Sequence, residues 1–368
     1  MLTRPTVVGS PLPVRNPIVE PLFAAPCKNP AAKLITPAAV LRAVQTRGRF
    51  TITAPGLYCL VGDIEVAATG VNPIIQLQTS NISLNLGGYS IINTIGPGTQ
   101  TAGQGGNLAA AIGYDWFTSG NVNNLSVYNG TIRNFSYGML LNGGNGRMSN
   151  LTNVHIHDIN MSNMNTGIHT SSAGDVRITH TTMTDVVAGI SLYHVTTGTI
   201  QDALIHITLP KTAPFASYGI NTNQTAGITI QDNQIYGNNT MSGTGLYGLS
   251  VAMGTDYTIQ NNVIRGITNA IMIDLSQRVD VLENHLGGFA PPLGVSGTGI
   301  QVSDTTNIRI DNNILEQFPL GLSFIRQSTG QYDQNKTCGV NTPLYIAPGI
   351  NTTQLIAGPS NQWNPLGC

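Results

Sequence analysis

The sequence predicts an all-β solenoid of stacked parallel strands, on three observations. First, an apolar-x-apolar motif recurs along the chain, as in "VRITHTTM" from Val176 and "ITIQDNQI" from Ile228. Second, apolar and polar residues alternate with a period of two inside each motif, which predicts strands with one buried face. Third, successive motifs are 29, 22, 22, 30, 29, 22 and 29 residues apart, so a turn of 22 residues is sometimes lengthened by an insertion.

The composition excludes several other classes of protein. Only 9% of the 368 residues are charged and the formal net charge is −1, whereas about a quarter of an ordinary globular chain is charged. A disordered chain would need more charge and less hydrophobicity. The balanced charges offer no basic stripe for nucleic acid, and no run of about 18 apolar residues could span a membrane. We therefore expect neither a nucleic-acid partner nor membrane insertion. Because a single core rarely exceeds about 250–300 residues, the core is expected to grow by repetition.

Each motif contributes one residue to a predicted interior column, at a stacking distance of about 4.8 Å. After an earlier turn at Leu84, this anchor position is occupied by Val127, Ile156, Ile178, Ile200, Ile230, Ile259, Val281 and Ile310. A second interior column follows a Gly or its replacement and is occupied by Met139, Ile168, Ile190, Ile220, Leu249, Ile271, Ile300 and Leu322.

Asparagines stand three residues after four anchors, at Asn233, Asn262, Asn284 and Asn313. The side chain of Asn both donates and accepts hydrogen bonds, and Asn tolerates the left-handed backbone conformation. We expect these residues to form a hydrogen-bonded ladder along the solenoid.

With its motif and its bare turn of 22 residues, the chain resembles the right-handed parallel β-helix repeat family, the pectin-lyase-like superfold. The resemblance covers about residues 50–325 and implies a right-handed parallel β-helix of about nine or ten turns. It implies no enzyme activity, because the polygalacturonase patterns N-T-D, D-D, G-H-G and R-I-K and the pectate lyase pattern W-I-D-H do not occur in the sequence. The fold alone says little about chemistry.

The ends differ in composition from the repeat. Residues 1–35 form a Pro-rich segment, either a loose tail or an arm that docks on a neighbouring subunit through residues 1–30. Residues 36–49 contain a predicted helix at 36–45, with Thr36 as N-cap and Pro37 in the first turn, which would cap the solenoid. Residues 326–368 lose the motif and are expected to form an irregular cap or tail.

The four cysteines lie near the two ends of the predicted solenoid. Eight stacking steps of about 4.8 Å separate the turns at Leu84 and Ile310. The feasible disulfides are therefore Cys27–Cys59 and Cys338–Cys368, unless a tail doubles back; buried free thiols are the alternative. Disulfides would indicate an oxidising compartment. The sequence contains no C-x-x-C spacing, so a zinc site is not expected. Neither a cofactor nor another metal is expected. Residues 1–30 do not resemble a secretory signal peptide.

One polar column could carry catalysis. Two residues after the anchors stand Asn129, Asp158, His180, Asp202, Asp232, Asn261, Glu283 and Asn312. Neighbours about 5 Å apart would suit paired carboxylates in a glycosidase, so Asp158, Asp202 and Asp232 are candidate catalytic residues, together with His180 and Arg177. The alternative is that Asp and Asn are favoured here because the column lies at a turn.

Six of the seven histidines fall between His155 and His206. By strand alternation, His155 and His157 point outward, and with His180 they could converge on a metal ion. A solvated polar surface and a pH-sensitive contact are the alternatives.

Three insertions lengthen the turns at one corner, at residues 206–218, 236–247 and 286–298. They bring aromatic side chains and one lysine that could contact sugar rings. The candidate ligand-binding residues are Lys211, Phe215, Tyr218, Tyr236, Tyr247 and Phe289. Packing of the loops against the solenoid wall is the alternative. A fourth insertion spans residues 94–107.

Two functions are compatible with these features. The first is a non-catalytic structural or adhesive β-helix on the surface of a cell or virus particle, which self-assembles or binds glycan. The second is a polysaccharide lyase or glycoside hydrolase that acts on the outer face of the solenoid. The absence of enzyme patterns, the low charge, the Pro-rich segment and the terminal cysteines favour the first, with an extracellular or virion-surface location.

Overall fold

The computed structural model describes residues 27, 29–68, 72–97, 109–115, 120–143, 151–208, 216–237, 245–288 and 297–364. These residues form 33 β-strands, the α-helix Pro37–Arg47 (α1) and the short 3-10 helix Thr352–Gln354. Strands that pair are parallel and come from successive turns, as in the register Ile156↔Ile178↔Ile200. The predicted right-handed parallel β-helix is thereby confirmed.

The strands form three parallel stacks, and the long strands β9, β11 and β13 run from one stack into the next. The first stack consists of β1 (Lys33–Ile35), β3 (Gly56–Leu60), β6 (Ile82–Asn85), β9 (Val122–Arg133), β11 (Leu151–Ser171), β12 (Asp175–Thr179), β14 (Thr197–Gln201), β17 (Ala226–Gln231), β20 (Thr255–Gln260), β23 (Gln277–Leu282), β26 (Thr306–Asp311), β29 (Gly330–Asp333) and β32 (Leu355–Ala357).

The second stack consists of β4 (Ile64–Val66), β7 (Ser90–Asn93), parts of β9, β11 and β13 (Thr182–Tyr193), β15 (Leu204–Ile207), β18 (Gln234–Gly237), β21 (Val263–Arg265), β24 (His285–Gly287), β27 (Ile314–Glu316), β30 (Lys336–Cys338) and β33 (Gln362–Asn364). The third stack consists of β2 (Phe50–Ile52), β5 (Ile75–Leu77), β8 (Ala110–Asp115), β10 (Tyr137–Asn142), the ends of β11 and β13, β16 (Ser217–Asn223), β19 (Leu246–Ala252), β22 (Asn269–Asp274), β25 (Thr298–Ser303), β28 (Leu320–Phe324) and β31 (Thr342–Ile346).

Both predicted apolar columns lie in the core. Ile156, Ile178 and Ile200 of the anchor column are fully buried, as are Met139 and Ile168 of the second. One continuous hydrophobic cluster extends from Ile35 to Leu355. The alternating pattern therefore predicts correctly which side of each strand faces inward and which faces solvent.

The polar column two residues after the anchors forms a left-handed corner. Its members have φ between 50° and 61°, and they are Asn129, Asp158, His180, Asp202, Asp232, Asn261, Glu283 and Asn312. Asn and Asp adopt this conformation more readily than most residues. The turn interpretation of this column is confirmed, and it accounts for the frequency of Asp and Asn without reference to catalysis.

The asparagine ladder is confirmed and is longer than predicted. Asn262 donates from Nδ2 to Oδ1 of Asn284 (2.9 Å) and to the carbonyl of Ile230 (2.9 Å), and Asn233 donates in the same way to Oδ1 of Asn262 (2.9 Å). The ladder continues through Asn313 to two further members, Asn335 and Asn361. At this corner, the residues with a left-handed backbone belong to the polar column, one position before each of the four predicted ladder asparagines. Hydrogen bonding, rather than backbone conformation, therefore explains why asparagine occurs in the ladder.

Helix α1 caps the first turns as predicted. The side chain of Thr36 accepts a hydrogen bond from the amide of Ala39, and Gly48 ends the helix with φ of 74°. Val40 is fully buried, and the helix packs against β2 and β4. β1 lies inside the predicted Pro-rich segment and pairs with β3. Residues 1–26, which include most of the predicted arm, lie outside the described residues.

The solenoid extends beyond residue 325, where an irregular piece was expected. Strands β29 to β33 continue the three stacks, with Tyr332 in register with Ile310. The apolar-x-apolar motif does not occur in this turn, because Gly330 and Tyr332 occupy the positions that Ile308 and Ile310 hold on the preceding strand.

Cys27 and Cys59 form the first predicted disulfide, with their Cα atoms 5.9 Å apart. The bond ties residue 27 to β3, close to α1. Cys338, on β30, is also disulfide-bonded, whereas its predicted partner Cys368 lies outside the described residues. Within the described part of the chain, no helix has the length and apolar character needed to cross a membrane.

Candidate functional site

Polar and aromatic side chains gather on the outer face of the first stack, where β9, β11, β12 and β14 lie side by side. Val154 and Ile156 of β11 point into the core, which turns His155 and His157 outward. We call this surface the histidine patch; it comprises Tyr128, His155, His157, Asp158, Arg177, Thr179, His180 and Asp202.

Three rings lie in contact in the histidine patch. Tyr128 is in register with His157, and their ring centroids are 4.8 Å apart with an interplanar angle of 7°, so these two rings are stacked. The ring centroids of His157 and His155 are 4.3 Å apart, and the two rings are tilted by 31°. The strands thus present a cluster of three aromatic rings on their outer face.

Two histidines of the patch pair with carboxylates at the corner. Nδ1 of His157 lies 2.7 Å from Oδ2 of Asp158, and Nε2 of His180 lies 3.6 Å from Oδ2 of Asp202. These contacts fix carboxylate and imidazole groups side by side along the edge of the patch.

His155 lies in an environment that favours its neutral form. Burial lowers the pKa of His155, and the nearby charges of His157, Arg177 and His180 lower it further, against the opposing effect of Asp158. Arg177 is in register with His155 on the next strand and is exposed. The patch therefore combines a neutral imidazole with an exposed guanidinium, which suits an acceptor beside a site for an anionic group.

The register brings the predicted catalytic residues onto neighbouring strands. Asp158, Arg177, His180 and Asp202 belong to the histidine patch, and Asp232 is next to Asp202 in the corner column because Gln201 is in register with Gln231. Asp158 pairs with His157, and Asp202 pairs with His180. Catalysis by these residues stays a prediction.

The predicted ligand-binding aromatics separate onto two stacks. Tyr218 and Tyr247 lie near the start of β16 and β19 in the third stack, and their ring centroids are 5.2 Å apart. Tyr236 lies on the second stack, where its ring is 5.1 Å from that of His206. Lys211, Phe215 and Phe289 lie outside the described residues.

Tyr128 and Thr179 also belong to the patch and were not among the predicted site residues. Oγ1 of Thr179 lies 3.4 Å from Nε2 of His155. Both follow an anchor directly, as His157 does, so a search of that position turn by turn would have found them.

Residues 150–336 match the family described as "Periplasmic copper-binding protein (NosD)", which is more than half of the chain. The chain belongs to the NosD family. No curated protein matches the chain.

Two solved structures are similar to this β-helix. The A-module of mannuronan C-5 epimerase AlgE6 from Azotobacter vinelandii is 15% identical, with a TM-score of 0.54, over 89% of this chain and 94% of the other. A mutant form of the periplasmic alginate epimerase AlgG is 14% identical, with a TM-score of 0.56, over 90% of this chain and 84% of the other. At these identities the likeness shows the fold alone.

The family is described as copper-binding. The described residues of this chain contain no group of three or more His, Cys, Asp or Glu side chains that could hold a metal ion. Nδ1 of His157 is occupied by Asp158, and Nε2 of His155 faces Thr179. The hypothesis that His155, His157 and His180 form a metal site is therefore not supported, and the residues do not fit a copper centre.

Proposed function

We propose that the protein is a non-catalytic structural or adhesive β-helix that binds an acidic polysaccharide on the histidine patch. The observation that carries this proposal is the exposed Arg177 beside the cluster of rings formed by the stacked pair Tyr128 and His157 and the adjoining His155. A guanidinium binds carboxylate or sulfate groups, and aromatic rings stack against sugar rings. The long parallel face offers this contact on a rigid support.

The location proposed is outside the cytoplasm. The NosD family is described as periplasmic, and the disulfide between Cys27 and Cys59 is typical of an oxidising compartment. More specifically, the protein is proposed to be attached to the surface of a cell or virus particle. Self-association through residues 1–30 belongs to the same proposal; it is tested by deleting those residues, which should weaken ordered assembly.

Binding is tested by comparing Arg177→Ala with Arg309→Ala. The two arginines hold equivalent positions, each directly before an anchor, but Arg309 lies on β26, five strands along the first stack from β12, and pairs with Asp311 at 2.6 Å. We expect Arg177→Ala to weaken binding to polygalacturonate or alginate by about tenfold, or about 1.4 kcal/mol, and Arg309→Ala to leave it unchanged. Equal binding by both variants and the unmodified chain would contradict the proposal.

A second candidate is a polysaccharide lyase or glycoside hydrolase on the same patch. It is favoured by the lowered pKa of His155 beside Arg177. In a lyase, His155 would take the proton from the carbon next to a uronate carboxylate that Arg177 neutralises. A carbon–carbon double bond would then form as the glycosidic oxygen leaves and is protonated. Because Asp158 and Asp202 are paired with histidines, elimination is better supported than hydrolysis.

An assay for unsaturated and reducing sugar products across a polysaccharide panel separates the two candidates. We expect no turnover from the unmodified chain. Turnover that is lost in His155→Ala or Asp202→Asn, and kept in His206→Ala, would overturn the non-catalytic proposal and establish the enzyme.

A further inference from the structure

A second row of rings lies on the outer face of the third stack, away from the histidine patch. His169 on β11 is 6.0 Å from Tyr137 and 5.5 Å from Tyr193, measured between ring centroids. Tyr218 and Tyr247 stack at 5.2 Å on the next two strands. We call Tyr137, His169, Tyr193, Tyr218 and Tyr247 the aromatic row; they come from five successive strands, β10, β11, β13, β16 and β19.

The shape of this surface is that of a shallow trough. On β13, β16 and β19, the middle outward position is held by the short side chains of Ser191, Asn221 and Ser250, whereas Leu140 and His169 hold it on β10 and β11 and close the trough at that end. Ser191 and Ser250 are only 8% and 4% exposed. Tyr218 and Tyr247 flank this position on one side, and Tyr193 flanks it on the other. Two stacking steps of about 4.8 Å, from β13 to β19, give the trough a length of about 10 Å.

Among the described residues, the outer face of the third stack from β10 to β19 carries no formal charge. Its outward positions hold only tyrosine, leucine, alanine, amide and hydroxyl side chains besides His169. Burial lowers the pKa of His169 to about 4, so its ring is neutral at physiological pH. Charged residues reappear at the edge, where Asp274 ends β22. These strand positions offer no cation to an anionic ligand.

Polar groups between the rings are available for hydrogen bonds. Nδ2 of Asn221 donates to the hydroxyl of Tyr193 at 3.2 Å, which leaves its carbonyl oxygen as an acceptor. Burial raises the pKa of Tyr218, and the neighbouring Tyr247 and Tyr193 add to the effect, so the hydroxyls stay protonated donors. Half-buried rings with amides and hydroxyls between them suit a ligand with apolar ring faces and a hydroxylated rim.

From these observations we propose that the aromatic row is a binding site for an uncharged polysaccharide, separate from the histidine patch. The polysaccharide lies along the trough. Its sugar rings stack on Tyr218 and Tyr247, and its hydroxyls form hydrogen bonds with Asn221 and Tyr193. The proposal does not depend on the acidic polysaccharide proposed for the histidine patch, because it rests on other residues and on neutral chemistry.

The test is native gel electrophoresis through gels containing hydroxyethylcellulose, galactomannan or xyloglucan. We expect at least one of these polymers to retard the unmodified chain, equally at low and high salt. The double variant Tyr218→Ala/Tyr247→Ala should weaken the apparent affinity by at least about tenfold, because two stacking contacts are lost. Tyr236→Ala is the matched control and should bind as the unmodified chain does, as should Arg177→Ala.

Two results would overturn the proposal: none of the three polymers retards the unmodified chain, or the double variant binds as well as the control. Should the double variant fail to fold by circular dichroism, hydroxyl-radical footprinting of the unmodified chain decides. The retarding polymer should protect Tyr218 and Tyr247 from oxidation and leave Tyr236 unprotected. Equal labelling of all three tyrosines with and without polymer would contradict the proposal.

Discussion

The histidine patch and the aromatic row are two surfaces of one solenoid, built on overlapping turns but with different chemistry. Both present stacked rings on outward strand positions, and each contains a half-buried histidine with a lowered pKa. In the patch, burial and the positive neighbours of His155 act together. In the row, burial alone lowers the pKa of His169 to about 4. The comparison teaches that a parallel stack fixes where side chains meet, while the residue type in each column fixes what they bind.

The largest effect on stability is expected from a variant of the asparagine ladder, which belongs to the solenoid core that supports both surfaces. Asn262→Leu would remove the acceptor of Asn233 and the donor to the carbonyl of Ile230, leaving buried polar groups without partners. We expect a loss of about 4 kcal/mol in the free energy of unfolding, measured by urea denaturation.

Thr258→Leu is the control for this variant, because Thr258 faces outward on the same turn; it should change the stability by less than about 0.5 kcal/mol. If Asn262→Leu proved as stable as this control, the ladder would have no role in holding the turns together.

The second largest effect is a dependence of stability on pH, which we expect from His169 and not from His206. His169 is neutral in the folded chain down to pH of about 4, whereas an unfolded histidine takes up a proton near pH 6.5. The unfolded state therefore binds more protons between these values, and stability falls as the pH is lowered through this window, by at most about 3 kcal/mol.

Thermal unfolding between pH 7 and pH 4 measures this dependence. We expect His169→Gln to flatten the profile, and His206→Gln, whose ring pairs with Tyr236 on the second stack, to retain it. A profile unchanged in His169→Gln would show that other groups cause the acid sensitivity.

The smallest effect on stability concerns Asp158 at the corner of the histidine patch. Two variants there distinguish the requirement for a left-handed backbone from the contribution of the charge. Asp158 has φ of 54° and bonds to His157. Asp158→Asn keeps a residue that tolerates this conformation and should change stability by less than about 0.5 kcal/mol. Asp158→Val should cost about 2 kcal/mol because a β-branched residue is strained there. Equal stability of the two variants would mean that the corner imposes no backbone demand.

The sequence predicts most of the fold and only part of the sites. Alternation and spacing identify the interior columns through Ile156 and Met139, because burial repeats at every turn. They miss the turn at Tyr332, where aromatic and glycine residues replace the branched apolar ones. Tyr218 pairs with Tyr247 rather than Tyr236 because Tyr218 and Tyr247 lie on third-stack strands after their insertions, whereas Tyr236 lies on a second-stack strand before its insertion. The spacing of single motifs does not show where each strand ends and the insertion begins.

The histidine patch shows the same limit. The cluster of His155, His157 and His180 is visible in the sequence, but its partners Tyr128 and Thr179 lie one turn away on either side. Their proximity follows from the register of the stack. Side-chain directions and pKa shifts, such as that of His169, require the packed structure.

The central claim is that the two surfaces bind different polysaccharides independently, and a competition measurement tests it most directly. The affinity for fluorescently labelled polygalacturonate is measured with and without a saturating amount of the neutral polymer that retards the chain. We predict the same affinity in both cases, with high salt abolishing only the acidic ligand's binding. Displacement of polygalacturonate by the neutral polymer would contradict the claim, since it would mean that both ligands share one surface.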